Sequence, residues 1–446
     1  MKEMYDRKQL EQDARKYIIP HFANYDLIQR EPKIFVRGEG CYLFDIEGKR
    51  YLDTFASLLT TICGHHQPDV DAAIREQLDS LEFFPNYVDT YTVPLIHLAK
   101  KIAQVMPGDL EISFFVNSGS EANETALKMA RQYHLERGEG GRWKVIFRRN
   151  SYHGTTLGGS SATGLQWFRE YFEPLLPGFI SAPTSRCSEC EFRLSAENCG
   201  MLCLRMMEEQ IKWEGPHSVS AIIMDPLPGS NTGFPVPPDG YIQAVREMCD
   251  RYGILLIFDE VQTGFGKTGK MFACEHWGVT PDIITIGKGF TGGYIPLGAA
   301  VTTEKVYSVF RRPGHELRSG STYGGHTIAC AATLANIEVI EKRNLVENAR
   351  VMGEYLALKL NGLRSHRVVG QVSGMGLLRA LFLKAEPKLQ LGDFIRDFCY
   401  RNGMIMRNNK DILVIAPALI ITREQIDDAM RILEAAIAEA EQKLGV

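Results

Sequence analysis

The sequence predicts an α/β chain: a mostly parallel central sheet flanked by helices, with a smaller α+β lobe built from the N- and C-terminal segments. Three observations predict it. From about residue 113 to 300, short continuous apolar runs alternate with amphipathic stretches, the pattern of strands buried on both faces and joined by helices. Each run is followed by polar and glycine residues, and ligands of open α/β sheets bind beyond that carboxyl edge. After residue 301 the character changes, and the chain closes on a long amphipathic stretch.

The N-terminal stretch "MKEMYDRKQLEQDARKYIIP" is charged and helix-like. Five apolar runs then set the sheet: "ISFFV" (112–116), "WKVIF" (143–147), "SAIIM" (220–224), "ILLIF" (254–258) and "DIITI" (282–286). They lead into "NSGSEAN" (117–123), "RRNSYHG" (148–154), "DPLPG" (225–229), "DEVQTG" (259–264) and "GKG" (287–289). In "TREQIDDAMRILEAAIAEAEQKL", Ile426, Met430, Leu433 and Ile437 repeat at helical spacing behind a capping-box pattern at Thr422 and Gln425. The expected division is residues 1–65 joining the small lobe, 66–335 as the large lobe and 336–446 as the rest of the small lobe.

Composition narrows the function. With 446 residues, 45% hydrophobic and 23% charged, and a formal net charge of -4, the chain has no basic footprint, so nucleic acid is not an expected partner. No apolar run approaches the ~20 residues that span a bilayer, and the N-terminus does not read as a secretory signal, so no membrane partner and a cytoplasmic location are expected. Ten cysteines in a chain of this length fit reduced thiols. Cys187, Cys190, Cys199 and Cys203 form C-x2-C-x8-C-x3-C in a polar insert; four thiolates can make a structural zinc site, but the uneven second pair also suits free thiols, and no metal is assigned.

The chemistry gathers at the sheet edge. A lysine there, Lys288 between two glycines, is desolvated, which lowers its pKa and frees the amine as a nucleophile toward carbonyls. Asp259 at the end of "ILLIF" places a carboxylate where it is costly without a cation or proton donor, and a pyridinium nitrogen is such a partner. Ser118, Gly119 and Ser120 lie where the free N–H groups of a helix start bind an anion, and Tyr152 offers an aromatic face. Singly, each has a plainer reading: an exposed loop lysine, a serine N-cap, a packing tyrosine. Together they match the needs of pyridoxal 5'-phosphate, held as a Schiff base on lysine with an acid on its ring nitrogen. Lys267 in "GFGKTG" is the rival lysine; its loop also carries Thr268 and Lys270, and solvation is its expected state.

The motifs "FFVNSGSEANETALKMAR", "YHGTT", "LLIFDEVQTGFGKTG" and "DIITIGKGFTGGYIPLGA", in this order, resemble the class III, or ω-, aminotransferases of the fold type I pyridoxal-phosphate enzymes. The resemblance runs from "GKRYLDTFASLLTTICGHHQPDV" to the terminal helix. It implies that Lys288 forms the Schiff base and shuttles a proton, that Asp259 pairs with the ring nitrogen, that Val261 and Tyr152 pack on the two ring faces, that Gln262 reaches the 3'-oxygen and that Gly119 and Ser120 hold the phosphate. Thr322, in "GSTYGGH", matches a threonine that reaches the phosphate of a neighbouring subunit, which implies a homodimer with shared sites. His153 and Glu260 are expected as support beside these motifs.

Departures from the family pattern bear on substrate. Asp225-Pro226 stands where Glu-Pro is frequent, Ser230 where ornithine-type members carry a glutamate, and Val414 where they carry the arginine that fixes an α-carboxylate. Arg407 lies in a stretch where ω-branch enzymes place a mobile arginine, and could equally be a surface arginine. Leu58, Leu59 and Phe84 are candidates for the substrate side. The expected activity is transfer of an amino group from a primary amine or ω-amino acid to a keto acid, with pyruvate first; elimination from an amino-phosphonate or phosphate-type substrate, or epimerisation, is the alternative on the same scaffold.

Overall fold

The computed structural model describes residues 6–23, 32–384 and 389–445; Met1 to Tyr5 of the charged N-terminal stretch lie outside them. Helix Arg7–Tyr17 is capped by Asp6, whose carboxylate accepts from the N–H of Gln9. Strands β1 (Phe35–Glu39), β2 (Tyr42–Asp45) and β3 (Arg50–Asp53) follow as an antiparallel meander.

The central sheet contains β4 (Leu110–Val116), β5 (Lys144–Arg148), β6 (Phe179–Ala182), β7 (Val219–Met224), β8 (Leu255–Asp259), β9 (Ile283–Ile286) and β10 (Gly298–Thr303), in the order β4-β10-β9-β8-β7-β5-β6. All five apolar runs are strands of it. Every residue of β7, β8, β9 and β10 is buried, as helices on both faces require. β6 and β10 lie outside the five runs: β6 is four residues long at the sheet edge, and β10, "GAAVTT", has small and hydroxylated side chains in place of an apolar signal. β10 is antiparallel to both neighbours, because residues 287–297 are too few for the crossover that a parallel return needs. β4, flanking β10 on the far side, therefore runs in the same sense as β9. The carboxyl ends of β4, β5, β7, β8 and β9 share one edge.

The small lobe holds β11 (Val369–Met375), β12 (Leu378–Leu383), β14 (Arg407–Asn409) and β15 (Ile412–Ile415) in an antiparallel sheet ordered β11-β12-β15-β14, while β13 (Met404–Ile405) joins the N-terminal meander parallel to β3. The two chain ends are thus hydrogen-bonded into one lobe. Its terminal helix, Arg423–Leu444, begins with the Thr422–Gln425 capping box and buries Ile426, Met430, Leu433 and Ile437. Helix Thr327–Lys342 spans the boundary expected at 335/336 and packs on Pro68–Ser80 and Val93–Val105 of the large lobe. No helix among the described residues is long and apolar enough to cross a membrane.

Candidate active site

A cavity of about 380 Å³ opens at the shared carboxyl edge, lined among others by Ser118, Gly119, Ser120, Tyr152, His153, Asp259, Val261, Gln262 and Lys288. Residues from four strand ends thus meet in one wall.

Asp259, the last residue of β8, is buried and fully engaged at one oxygen. Its Oδ2 accepts from Asn123 Nδ2 at 2.8 Å and lies 2.8 Å from His153 Nδ1, while Oδ1 accepts from the N–H of Val261 at 3.0 Å. Burial alone would push this carboxyl up; the hydrogen bond and charge of His153, the Asn123 amide and the Val261 N–H outweigh it and hold it below its ordinary value. A carboxylate kept ionised in a dry wall suits a cationic or proton-donating partner.

Lys288 opens a short turn after β9 with φ 47°, a left-handed backbone that a non-glycine residue adopts only when its surroundings enforce it. Among the described residues its amine has no hydrogen-bond partner. Burial lowers its pKa, the Asp259 charge opposes that, and Arg407 adds to it. The amine is therefore poised toward its neutral, nucleophilic form.

The helix Gly119–Glu136 starts beneath them. Ser118 is its N-cap: its hydroxyl accepts from the Glu121 N–H at 3.2 Å, and Glu121 returns a bond to the Asn117 N–H at 2.8 Å. The N–H groups of Gly119 and Ser120 make no hydrogen bond among the described residues and open into the cavity, an anion site of the helix-start kind. A Cβ on Gly119 would stand 2.8 Å from the Val261 methyls, so only glycine lets the helix start approach that side chain. Gln262 is fixed by the Ser230 N–H, which donates to its Oε1 at 3.1 Å. The Tyr152 ring tilts against Phe168 with centroids 4.9 Å apart, and burial raises its phenol. Glu260 is structural, accepting from Thr263 Oγ1 and the N–H groups of Ala273 and Cys274 at 2.6–2.8 Å.

Several expected residues lie elsewhere. Leu58 and Leu59 do not line the cavity. Ala56–Leu59 is a left-handed turn, φ 45–69°, held by Asp53, which accepts from the N–H groups of Phe55 and Ser57 and from Ser57 Oγ. The turn buries Leu59 with Phe55, Leu227, Phe234 and Val414, leaves Leu58 50% exposed, and brings Thr60 to the cavity wall instead. Phe84, 48% exposed, lines a separate space of about 640 Å³ among the helices Pro68–Ser80, Val93–Val105 and Thr327–Lys342. Thr322 is exposed beside Ser321, which accepts from Asn117 at 2.7 Å.

Arg407 is half-buried at the edge of β14, donating from Nε to Asn409 Oδ1 at 3.2 Å and lying over the Phe55 ring at 5.7 Å. Burial lowers its pKa and Tyr152 opposes this. The expectation that Lys267 is solvated is corrected: it is 1% exposed, and its amine donates to the carbonyls of Ala416 and Pro417 at 2.9 and 2.5 Å, away from the cavity. Those acceptors, 149 and 150 positions further on, give a buried ammonium its partners. Asn123 and Thr285 are functional neighbours that the motifs alone did not single out; the one available signal was a polar residue inside an otherwise buried run.

The ten cysteines are unbridged. Cys187, Cys190, Cys199 and Cys203 surround one small space in the polar insert, and among the described residues no group of three or more His, Cys, Asp and Glu side chains is set to hold a metal.

An unpartnered amine, an ionised carboxylate and a helix start with two open N–H groups fit a ligand that has an aldehyde, a basic ring nitrogen and a phosphate. That is the donor set of pyridoxal 5'-phosphate. The family model for Aminotransferase class-III matches residues 28–437, and the chain belongs to that family: it is a pyridoxal-phosphate-dependent aminotransferase. It is 36% identical over 438 residues to the adenosylmethionine-8-amino-7-oxononanoate aminotransferase of Nitratidesulfovibrio vulgaris, covering 95% of this chain and 80% of the relative. It is 35% identical over 461 residues to the taurine–pyruvate aminotransferase of Bilophila wadsworthia, covering 99% and 100%. The crystal structure of an (S)-enantioselective ω-transaminase from Thermomicrobium roseum superposes with a TM-score of 0.94 at 36% identity, over 98% of this chain and 99% of that one.

Proposed function

We propose that the chain moves an amino group from a primary amine or ω-amino acid to a keto acid, with pyruvate as acceptor. The observation that carries this reading is the Lys288 amine, without a hydrogen-bond partner among the described residues, in the same cavity wall as the ionised Asp259. In this reading Lys288 would hold the cofactor through its amine and would move the proton at the substrate carbon. The cofactor supplies an electron sink for the pair that deprotonation leaves behind.

Asp259, braced by His153, would keep the ring nitrogen protonated. Val261 and Tyr152 would flank the ring, Gln262 would meet its 3'-oxygen, and Ser118, Gly119 and Ser120 would form the phosphate cradle, Ser118 by capping the helix and the other two by their N–H groups. Val414 is buried in an apolar cluster and offers no cation of its own to an α-carboxylate; the cation beside it is Arg407, its partner across the β14–β15 pair. Arg407 at the edge takes the carboxylate of the keto acid. The pyruvate assignment draws on the taurine–pyruvate relative.

The assembly in this reading is a homodimer. Phe84, Tyr87, Val88, Tyr91, Val93, Ile96 and Tyr323 are exposed apolar side chains, and seven of them concentrated in residues 84–96 and 323 are more than scattered surface residues explain. Thr322, next to Tyr323, then reaches the phosphate of the second copy, and Phe84 faces the second copy's substrate. The ten unbridged thiols support a cytoplasmic location.

The test is single-turnover absorbance of the holoenzyme with taurine, β-alanine, 4-aminobutyrate, putrescine, 1-phenylethylamine and aminophosphonates, with and without pyruvate. Stoichiometric consumption of pyruvate, and loss of the cofactor band in Lys288→Ala, are expected. Turnover that needs no keto acid would instead establish elimination or epimerisation.

A further inference from the structure

We propose that Asn123 and Thr285 are positioning residues which, together with His153, saturate Oδ2 of Asp259 and leave Oδ1 as the oxygen that receives the cofactor's ring nitrogen. The inference rests on the reading that Asp259 pairs with that nitrogen.

Three elements meet here. Asp259 ends β8 and stands opposite Thr285 on β9, while Asn123 lies in the first turns of the helix Gly119–Glu136. Thr285 Oγ1 donates to Asn123 Oδ1 at 2.7 Å, and Asn123 Nδ2 donates both to Asp259 Oδ2 and to the His153 carbonyl, each at 2.8 Å. Asn123 and Thr285 are at most 1% exposed, so water cannot replace any of these partners.

A carboxylate oxygen has two lone-pair sites. Those of Oδ2 are taken by Asn123 and His153; Oδ1 has accepted only the Val261 N–H and keeps one. The amide of Asn123 can serve Oδ2 in one orientation only. Turned by half, it would aim its oxygen at two acceptors, Asp259 Oδ2 and the His153 carbonyl. Thr285 gives the amide oxygen its partner in the productive orientation; without that hydroxyl the oxygen is buried and unsatisfied, and the pose is no longer favoured over its alternatives. The arrangement therefore fixes the plane of the carboxylate, a role that cross-strand packing alone would not need.

The experiment compares Thr285→Val, which is close to isosteric in a strand, Thr285→Ser, which retains the hydroxyl, Asn123→Leu and Asp259→Asn. Each is loaded with cofactor labelled with ¹⁵N in the ring. Two quantities are read: the ¹⁵N shift as a function of pH, and the cofactor dissociation constant. Thr285→Val should lower the pH at which the ring nitrogen loses its proton by about one unit and weaken cofactor binding about tenfold, the scale of one buried hydrogen bond. Asn123→Leu should do at least as much, and Thr285→Ser should restore both. If Asn123→Leu fails to fold, the Thr285 pair alone carries the comparison. A wild-type titration and affinity in Thr285→Val, or a loss that Thr285→Ser does not restore, overturns the proposal. Should Asp259→Asn remove the protonated-ring signal while Thr285→Val leaves it unmoved, only the positioning role fails; should Asp259→Asn leave the signal unmoved, the pairing fails and the proposal with it.

Discussion

His153 Nδ1 lies 2.8 Å from Oδ2 of Asp259, and both side chains are buried, Asp259 at the cavity wall. The carboxylate is thus held ionised by a neighbour placed for that purpose. Asp259→Asn keeps the shape and removes the charge that would protect a ring proton. We expect it to lower kcat by ~10²–10³, the scale of losing one preorganised electrostatic group, while circular dichroism and thermal unfolding stay near wild type. Full activity in this variant would show that the ring nitrogen depends on some other group.

Lys267 gives a pH-dependent prediction. Burial pushes its ammonium down to about 7, with Asp53 and Cys41 opposing. The unfolded chain holds that proton up to ~10.4. Between the two values the unfolded state binds more protons, so stability rises with pH through this window and is flat in this respect below it. Lys267→Met removes the titration and leaves the Ala416 and Pro417 carbonyls without their donor. It should therefore be destabilised at all pH values, by ~2 kcal/mol near neutrality, and the gap to wild type should widen between pH 7 and 10 by no more than ~1.4 kcal/mol per unit. Thermal unfolding of both proteins across pH 6–10 checks this; a gap that narrows on going alkaline contradicts it.

What the sequence made legible, and what it did not, follows from range. Lys288 and Asp259 were readable because each is a charged residue ending an apolar run, and the sheet edge collects such residues regardless of how the chain folds elsewhere. Thr285 reads only as a strand residue of "DIITI", and Asn123 only as the end of the polar stretch "NSGSEAN", since neither spacing nor composition reports a side-chain bond across 162 positions. The state of Lys267 depended on carbonyls in the other lobe. The left-handed turn at Ala56–Leu59 contains no glycine, so nothing local announced it, and it sets where Leu58 and Leu59 point within the segment expected on the substrate side.

Two side chains bond that turn: Asp53, and Thr60, whose Oγ1 donates to the Ser57 carbonyl at 2.7 Å. Left-handed backbone costs roughly 1–2 kcal/mol per non-glycine residue, and Asp53 offsets it by accepting three hydrogen bonds at 2.7–3.0 Å from Phe55 and Ser57. Asp53→Ala should lower stability by ~3 kcal/mol and, by releasing Thr60 from the cavity wall, raise the KM of the amine more than it lowers kcat. Differential scanning calorimetry and steady-state kinetics read the two effects; an unchanged unfolding temperature would mean that the packing of Leu59 and the Thr60–Ser57 bond hold the turn without Asp53. The effect should not add to that of Lys267→Met, because Asp53 also stabilises the Lys267 charge.

Ile96 is 52% exposed on the helix Val93–Val105, whose other face buries Leu95, Leu98 and Ile102. An amphipathic helix that has already buried one face has no need of further large apolar residues on the outside, unless a second surface covers them. Ile96→Glu should then leave the protomer folded, since the core face is untouched, but split the proposed dimer by placing a charge in a dry interface. Because Thr322 and Phe84 are proposed to serve the partner's site, activity should fall together with the dimer fraction as protein is diluted, and recover at high concentration. Sedimentation velocity paired with activity over the same dilution series decides it. A wild-type chain that sediments as a fully active monomer would assign the exposed strip to another partner and remove Thr322 and Phe84 from the site.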